Sequence, residues 1–220
     1  MSAHPHSPSD VDTRRRLLEV AGEVFAEHGF RAATVRDICQ RAGANVAAIN
    51  YHFGDKESLY REVLASSLCA DLERYPSDME LGQKPSAEER LHAFVRSFLL
   101  RMLSGDKPQW LMKLMSREMI EPTGALDQLI ESVHRPLFTQ LAAIVADLGG
   151  PHMDEATRVW CAHAIIAQCV FYRHAQAVIV RMGSAVPNAP AEIDRLAEQV
   201  TRFSLGGIRQ RARDVRKDNP

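Results

Sequence analysis

The 220-residue chain has only four cysteines, Cys39, Cys69, Cys161 and Cys169, and no two of them stand in a Cys-x-x-Cys pair. That spacing excludes a disulfide framework and the paired thiolates of a zinc finger, and it fits a reducing compartment. Charge of one sign is also missing. Lys plus Arg is 27 against 28 for Asp plus Glu, a formal net charge of -1, so any argument for nucleic-acid binding has to rest on motif. The N-terminus has no apolar run of a secretion signal. The most apolar stretch, 159–172, is interrupted by His163 and Gln168 and falls short of the roughly 18 to 20 residues that span a bilayer. No membrane segment is expected, and a cytoplasmic location is. Strand-like alternation, internal repeats and low-complexity blocks are absent as well, which excludes β architectures and solenoids.

What is present is an ordinary globular composition, 45% hydrophobic and 25% charged, written almost throughout in helical periods. Residues 1–11, with Pro5, Pro8 and scattered Ser and His, read as a disordered arm. From Asp12 the stripe Leu17, Leu18, Ala21, Val24, Phe25 marks an amphipathic helix that Gly29 should end. Thr34 and Asp37 then suggest an approximate capping box at the start of a second helix, with Ile38 and Ala42 facing inward. Gly43 permits a left-handed turn residue, and Asn45 is a good N-cap for a third helix reaching Phe53. Asp55 restarts the chain as N-cap of a longer helix carrying Leu59, Tyr60, Val63, Leu64 and Leu68. After a Pro/Gly/Ser-rich loop at 75–86, further helices are expected over 87–103, 108–120, 124–148, 154–182 and 191–213.

The fold class that follows is all-α. A three-helix head over 12–57 is joined by a connecting helix to an effector-binding and dimerisation bundle within 58–220. From Thr34 to Phe53 the chain spells helix, glycine turn, helix in about 20 residues, the size of a DNA-binding helix-turn-helix. The second helix of such a unit must present small or polar groups to the major groove. Asn45, Val46, Ala47 and Asn50 are the candidates to face base edges, since Asn can make a paired hydrogen bond to adenine and apolar groups can touch thymine methyls. Thr34, Arg36, Tyr51, His52 and Lys56 complete the candidate DNA-binding set; the last three suit phosphate oxygens, which orient a protein without reading sequence. The bland alternative, an αα-hairpin used for packing, would need large apolar groups on the outward face.

These residues resemble a known family. Thr34-Val35-Arg36-Asp37-Ile38, Gly43, and Ile49-Asn50-Tyr51-His52-Phe53-Gly54-Asp55-Lys56-Glu57-Ser58-Leu59, together with Phe25, His28-Gly29-Phe30 and Ala33-Thr34, look like the signature of TetR-type repressors. Asn50 departs from it, standing where many members carry Tyr, which favours a base contact there. Ser116-Arg117-Glu118-Met119, Glu121-Pro122, His163-Ala164, Tyr172-Arg173 and Arg181-x-Gly183 are similar to the CecR-like subgroup. The resemblance implies nine helices, dimerisation through the last two, an effector cavity in the C-terminal domain, and a repressor released from a palindromic double-stranded operator by a small molecule.

For the C-terminal half the residues themselves decide less. Trp110, Met112, Met115, Trp160, Phe171 and Tyr172 are core by default, and the weak effector-pocket set is Trp110, Met115, Arg117, Trp160, His163, Phe171 and Arg173. Arg117, Glu118 and Arg173 could each be exposed, ion-paired or in contact with ligand. Ala162, Ala164, Ala167 and Ala175, with Gly206-Gly207, permit close helix approach in a dimer or in the intrachain core alike. Residues 202–220 carry a surplus of positive charge, read as a solvated helix end.

Two other function classes compete with this reading. A helical ligand-binding or scaffold protein whose head no longer reads DNA would bind operator and random DNA alike. An enzyme would need a catalytic signature, and no Gly-x-Ser-x-Gly, phosphate-binding glycine loop or His-Glu-x-x-His occurs. Cys161, His163, Cys169 and His174 invite a metal reading, yet His163 and His174 on one helix would lie about 16 Å apart. No catalytic residue, metal or cofactor is expected.

Overall fold

A computed structural model describes residues 8–105 and 108–218. Among these, every regular element is helical: α1 Pro8–Ala32, α2 Val35–Ala42, α3 Val46–Phe53, α4 Lys56–Arg74, α5 Ala87–Leu103, α6 Gln109–Ile120, α7 Gly124–Leu129, a π-helical turn Ile130–His134, α8 Arg135–Gly149, α9 Glu155–His174, α10 Gln176–Arg181 and α11 Pro190–Asp218. No described helix is long and apolar enough to cross a membrane. The run expected over 124–148 is divided by the π turn. Its cause is Pro136, whose ring would meet the carbonyl of Ser132 in a regular helix; a widened turn there relieves the clash. The run over 154–182 breaks at Ala175 (φ -91, ψ 10), where the Ala175 carbonyl accepts a tight bond from Val178 N at 2.9 Å beside one from Ile179 N. Joining α7 to α8 and α9 to α10 across these breaks restores, among the described residues, the nine helices that the resemblance implies.

Two further expectations are corrected. The arm expected through residue 11 is shorter, because Pro8–Val11 belong to α1. Proline is pre-organised for a first helical turn, and Asp10 there complements the helix dipole. Residues 1–7 lie outside the described residues. Gly29 does interrupt α1, at φ 78 and ψ 166, although three helical residues follow it.

The described residues form two compact units, 8–70 with 108–133, and 71–105 with 134–218. Compaction therefore does not follow a break after residue 57, because α6 and α7 join the head. Leu17, Phe25, Ile38, Ile49 and Phe53 of the head and Leu59 and Leu64 of α4 share one core with Leu114 of α6 and Ala125 of α7. The reason is local to α1: Gly22 lacks a Cβ, and one built there would meet the Trp110 ring at 2.6 Å. Small-for-large complementarity of this kind is specific to one partner helix. In the second unit α5, α8, α9 and α11 enclose a separate core that includes Leu91, Phe94, Leu99, Leu141, Ile165 and Val200.

Candidate nucleic-acid interface

The helix-turn-helix is built by its caps. The Thr34 hydroxyl accepts from Asp37 N at 3.1 Å and opens α2; Gly43 (φ 60, ψ 36) closes it in the left-handed conformation that glycine adopts freely. Asp37 does not return a capping bond; it accepts instead from Arg41 Nε at 3.2 Å. Asn45 Oδ1 accepts from Ala48 N at 2.9 Å and opens α3. Cys39 Sγ donates to Asn45 O at 3.4 Å, which ties the turn to α2. From this frame Ile38, Cys39, Ala42, Ile49 and Phe53 point inward and are buried.

The opposite face of α3 is open. Val46 is 47% and Tyr51 68% exposed, and Asn45, Ala47 and Asn50 beside them are exposed as well. Thr34 is exposed at the start of α2, with Arg36 on its first turn. A short helix with small, amide and phenol groups outward, and no large apolar residue but Val46, has the shape and chemistry of a groove-reading element. The capping bond engages the Asn45 carbonyl oxygen, so its NH2 is the part left to donate outward.

Two of the expected phosphate contacts are placed differently. The His52 side chain is only 4% exposed, with Nε2 3.5 Å from Oδ1 of Asp10 in the first turn of α1, and its imidazole does not reach outward. Lys56 Nζ donates to Ala33 O at 2.9 Å and lies 4.6 Å from the centre of the Phe30 ring. One ammonium N–H is thus spent on the end of α1, and two remain for an external acceptor. Asp55 Oδ1 accepts from Ser58 N at 2.7 Å and caps α4; that bond holds its carboxyl below the usual range.

The residues named as weak effector contacts are divided between the two units. Trp110, Met115 and Arg117 lie in the first unit: Trp110 and Met115 pack on the head core, and Arg117 Nη1 stands 2.5 Å from where a Cβ on Gly29 would be. Trp160, at 63% exposed, and Phe171, at 54%, are on the outside of α9 rather than in a core. His163 is exposed there too, its ring 4.9 Å from that of Phe138. Arg173 lines a shallow hollow with His174, Ala177, Val180 and Arg181. Helical spacing places these side chains on stripes but does not say whether a stripe faces a core or solvent.

Sequence reasoning missed two buried polar centres. Glu118, left open between three environments, is 1% exposed. It accepts from the Tyr60 hydroxyl, from Thr123 N at 3.1 Å and from Thr123 Oγ1. The other is Arg101, buried in the second unit; a lone charge inside Phe98-Leu-Leu-Arg-Met-Leu was its signal.

Comparison with known proteins decides the family. Residues 17–63 match the model of the bacterial regulatory proteins of the tetR family, and residues 87–208 match the C-terminal domain of the HTH-type transcriptional dual regulator CecR. The chain belongs to the TetR family. Within it, the CecR of Shigella flexneri is 30% identical over 181 residues, covering 77% of this chain and 80% of that one. The repressor KstR2 of Mycolicibacterium smegmatis is 36% identical over 95 residues, covering 43% of this chain and 46% of that one. The fold matches the TetR-family regulator PfmR from Thermus thermophilus, with a TM-score of 0.57 at 19% identity over 87% of this chain and 95% of that one. This TetR-family protein is accordingly a DNA-binding transcriptional regulator and not an enzyme.

Proposed function

We propose that this regulator binds a roughly palindromic operator as a homodimer, represses from it, and is released by a small-molecule effector in the cytoplasm. The observation that carries the reading is the outward face of α3, where Val46, Ala47, Asn50 and Tyr51 stand exposed on a helix anchored by buried Ile49 and Phe53. Asn50 reads a base, Tyr51 and Lys56 grip phosphate, and Arg36 and Thr34 at the start of α2 lie against the backbone. Because α3 carries no arginine, guanine is not read by the usual bidentate route.

Dimerisation is required by the geometry of DNA, since two recognition helices must enter grooves about 34 Å apart. The surface that supports it lies on α9 and α11, where Trp160, Ala164, Phe171, Phe203, Gly206 and Gly207 are exposed. Phe171 and Phe203 line one hollow of about 500 Å³, and Phe203 is 70% exposed. Aromatic side chains open to water on two adjoining helices are what an interface between copies would cover.

Release requires that the effector bind a DNA-incompetent conformer more tightly, and a ~100-fold induction corresponds to ~2.7 kcal/mol of coupling. Repression follows KstR2, while CecR's name as a dual regulator makes activation at a second site an outcome to be read in the same promoter fusions. The experiment is fluorescence anisotropy on labelled DNA from upstream of its own gene, against shuffled DNA, across a salt series. Tight, sequence-dependent binding is expected. Equal, weak binding to both DNAs, with no site recovered by selection of bound genomic fragments, would instead favour a head that no longer reads DNA.

A further inference from the structure

The core of the second unit contains a charge that its surroundings do not satisfy. Arg101, on the last turn of α5, is only 6% exposed. Its Nη1 donates to Tyr75 O at 3.0 Å and to Ser97 Oγ at 2.8 Å, and Ser97 itself donates to Tyr75 O at 2.7 Å. Its Cζ lies 5.6 Å from the centre of the Phe98 ring. Nη2, with two N–H donors, is buried without a hydrogen-bond partner. Buried guanidinium donors are rarely left so, because each unmet donor forfeits its hydration with nothing in return.

Leu100, Leu103, Ile165 and Cys169 belong to the apolar core of this unit, and Nη2 itself is shielded from bulk solvent. Asp71 adds favourable charge at a distance but no hydrogen bond to Nη2. Desolvation outweighs that charge, so burial pulls the guanidinium down to about 10. The same burial pushes the neighbouring Cys169 thiol up to about 12, against the pull of Arg101. The centre is therefore short of negative charge and of an acceptor together. Structural use alone would have been met by Nη1.

We propose that Arg101 anchors the effector, and that the effector is an amphipathic carboxylic acid whose carboxylate accepts from Nη2 while its hydrocarbon body lies among the apolar side chains of α5 and α9. This rests on the effector reading above and narrows it to a chemical class. A carboxylate suits the unmet donors because charge-assisted bonds to a planar guanidinium fork are about twice as strong as neutral ones. An alcohol of the same skeleton offers one uncharged oxygen and leaves the charge uncompensated. Since Nη2 is closed to solvent, entry parts the side chains around it, so the liganded core differs from the unliganded one, as release from DNA requires.

The test uses full-length protein on its labelled operator. Decanoate, benzoate and naphthalene-2-carboxylate are titrated beside 1-decanol, benzyl alcohol and 2-naphthalenemethanol. At least one carboxylate should release DNA at concentrations about tenfold or more below its alcohol, the factor by which about 1.4 kcal/mol of extra binding shifts an equilibrium. Arg101→Met should lose that difference, and Arg101→Lys should keep part of it, each read against its own operator complex. Guanidinium N–H signals of the wild-type protein, followed by NMR, should shift with the active carboxylate and not with its alcohol; this holds even if a variant fails to fold. Equal release by acid and alcohol, or unchanged release from Arg101→Met, overturns the proposal. If no carboxylate acts but a small-molecule extract of cells still releases DNA, this proposal falls and the effector reading stands; if the extract also fails, the effector reading falls.

Discussion

The phenol of Tyr60 on α4 donates to the carboxylate of Glu118 on α6, and both groups are buried. Thr123, at the start of α7, supplies two further donors to the same carboxylate. Three helices of the first unit thus meet at one satisfied polar centre. Such a centre fixes how α6 and α7 seat against the head, because every alternative seating leaves a buried carboxylate short of donors.

Removing the phenol should therefore cost stability. Tyr60→Phe is expected to lose about 1 to 3 kcal/mol, since it strands an acceptor rather than deleting both partners. A pH series checks the cause. Burial, reinforced by the Glu118 charge, pushes the Tyr60 phenol well above its ordinary value of 10.0. The folded protein then keeps a proton that the unfolded chain loses, so this contribution is complete below about pH 10 and shrinks as pH rises further. Denaturant melts should show wild type losing stability above that pH more steeply than Tyr60→Phe; parallel slopes would contradict the assignment.

Gly29 and Arg117 make a second, purely steric contact. At φ 78 and ψ 166 the backbone of Gly29 is in a region that essentially only glycine occupies, and a Cβ would stand 2.5 Å from Arg117 Nη1. Gly29→Ala should cost about 1 to 3 kcal/mol from backbone strain. Adding Arg117→Ala removes the collision but not the strain, so the double variant should remain below Arg117→Ala alone in thermal unfolding. Full recovery would place the whole cost in the side chain.

Asn45 serves as cap and is proposed as base contact, and serine separates the two. Serine caps as well as asparagine, whereas Asn45→Ala should lose roughly 0.5 to 2 kcal/mol of stability. If the Asn45 NH2 also reads a base, Asn45→Ser should melt like wild type yet discriminate less between operator and shuffled DNA. Unchanged discrimination would leave Asn45 with its cap alone. Asn50→Ala, which leaves the backbone bond from Gly54 N to Asn50 O in place, should relax preference at one position by about 1 to 3 kcal/mol.

Phe203, exposed on α11, tests the interface. Phe203→Glu should shift sedimentation toward the monomer and weaken operator binding, because each head alone keeps only its half-site contacts. A variant that stays dimeric would move the interface elsewhere.

Local signals in the sequence settled the local structure. The helix expected at 87–103 is α5 to the residue, and Thr34, Gly43 and Asn45 act at the helix ends as their residue types predict. Caps and left-handed glycines are decided by neighbours within a few residues, so single-chain spacing is enough to find them. The family signature is of the same kind, being written in one continuous stretch. What the sequence could not decide is which stripe covers which. Trp110 reads like any aromatic at helical spacing, and only tertiary packing sets it against Gly22 of α1; Trp160 reads the same and stands in the open. Glu118 and Arg101 are both charges that packing buries, one of them met by Tyr60 and Thr123 and the other left with an unmet Nη2. Periodicity states that a face is apolar or charged, whereas burial and partnership depend on residues far along the chain, and those meet only when the helices pack.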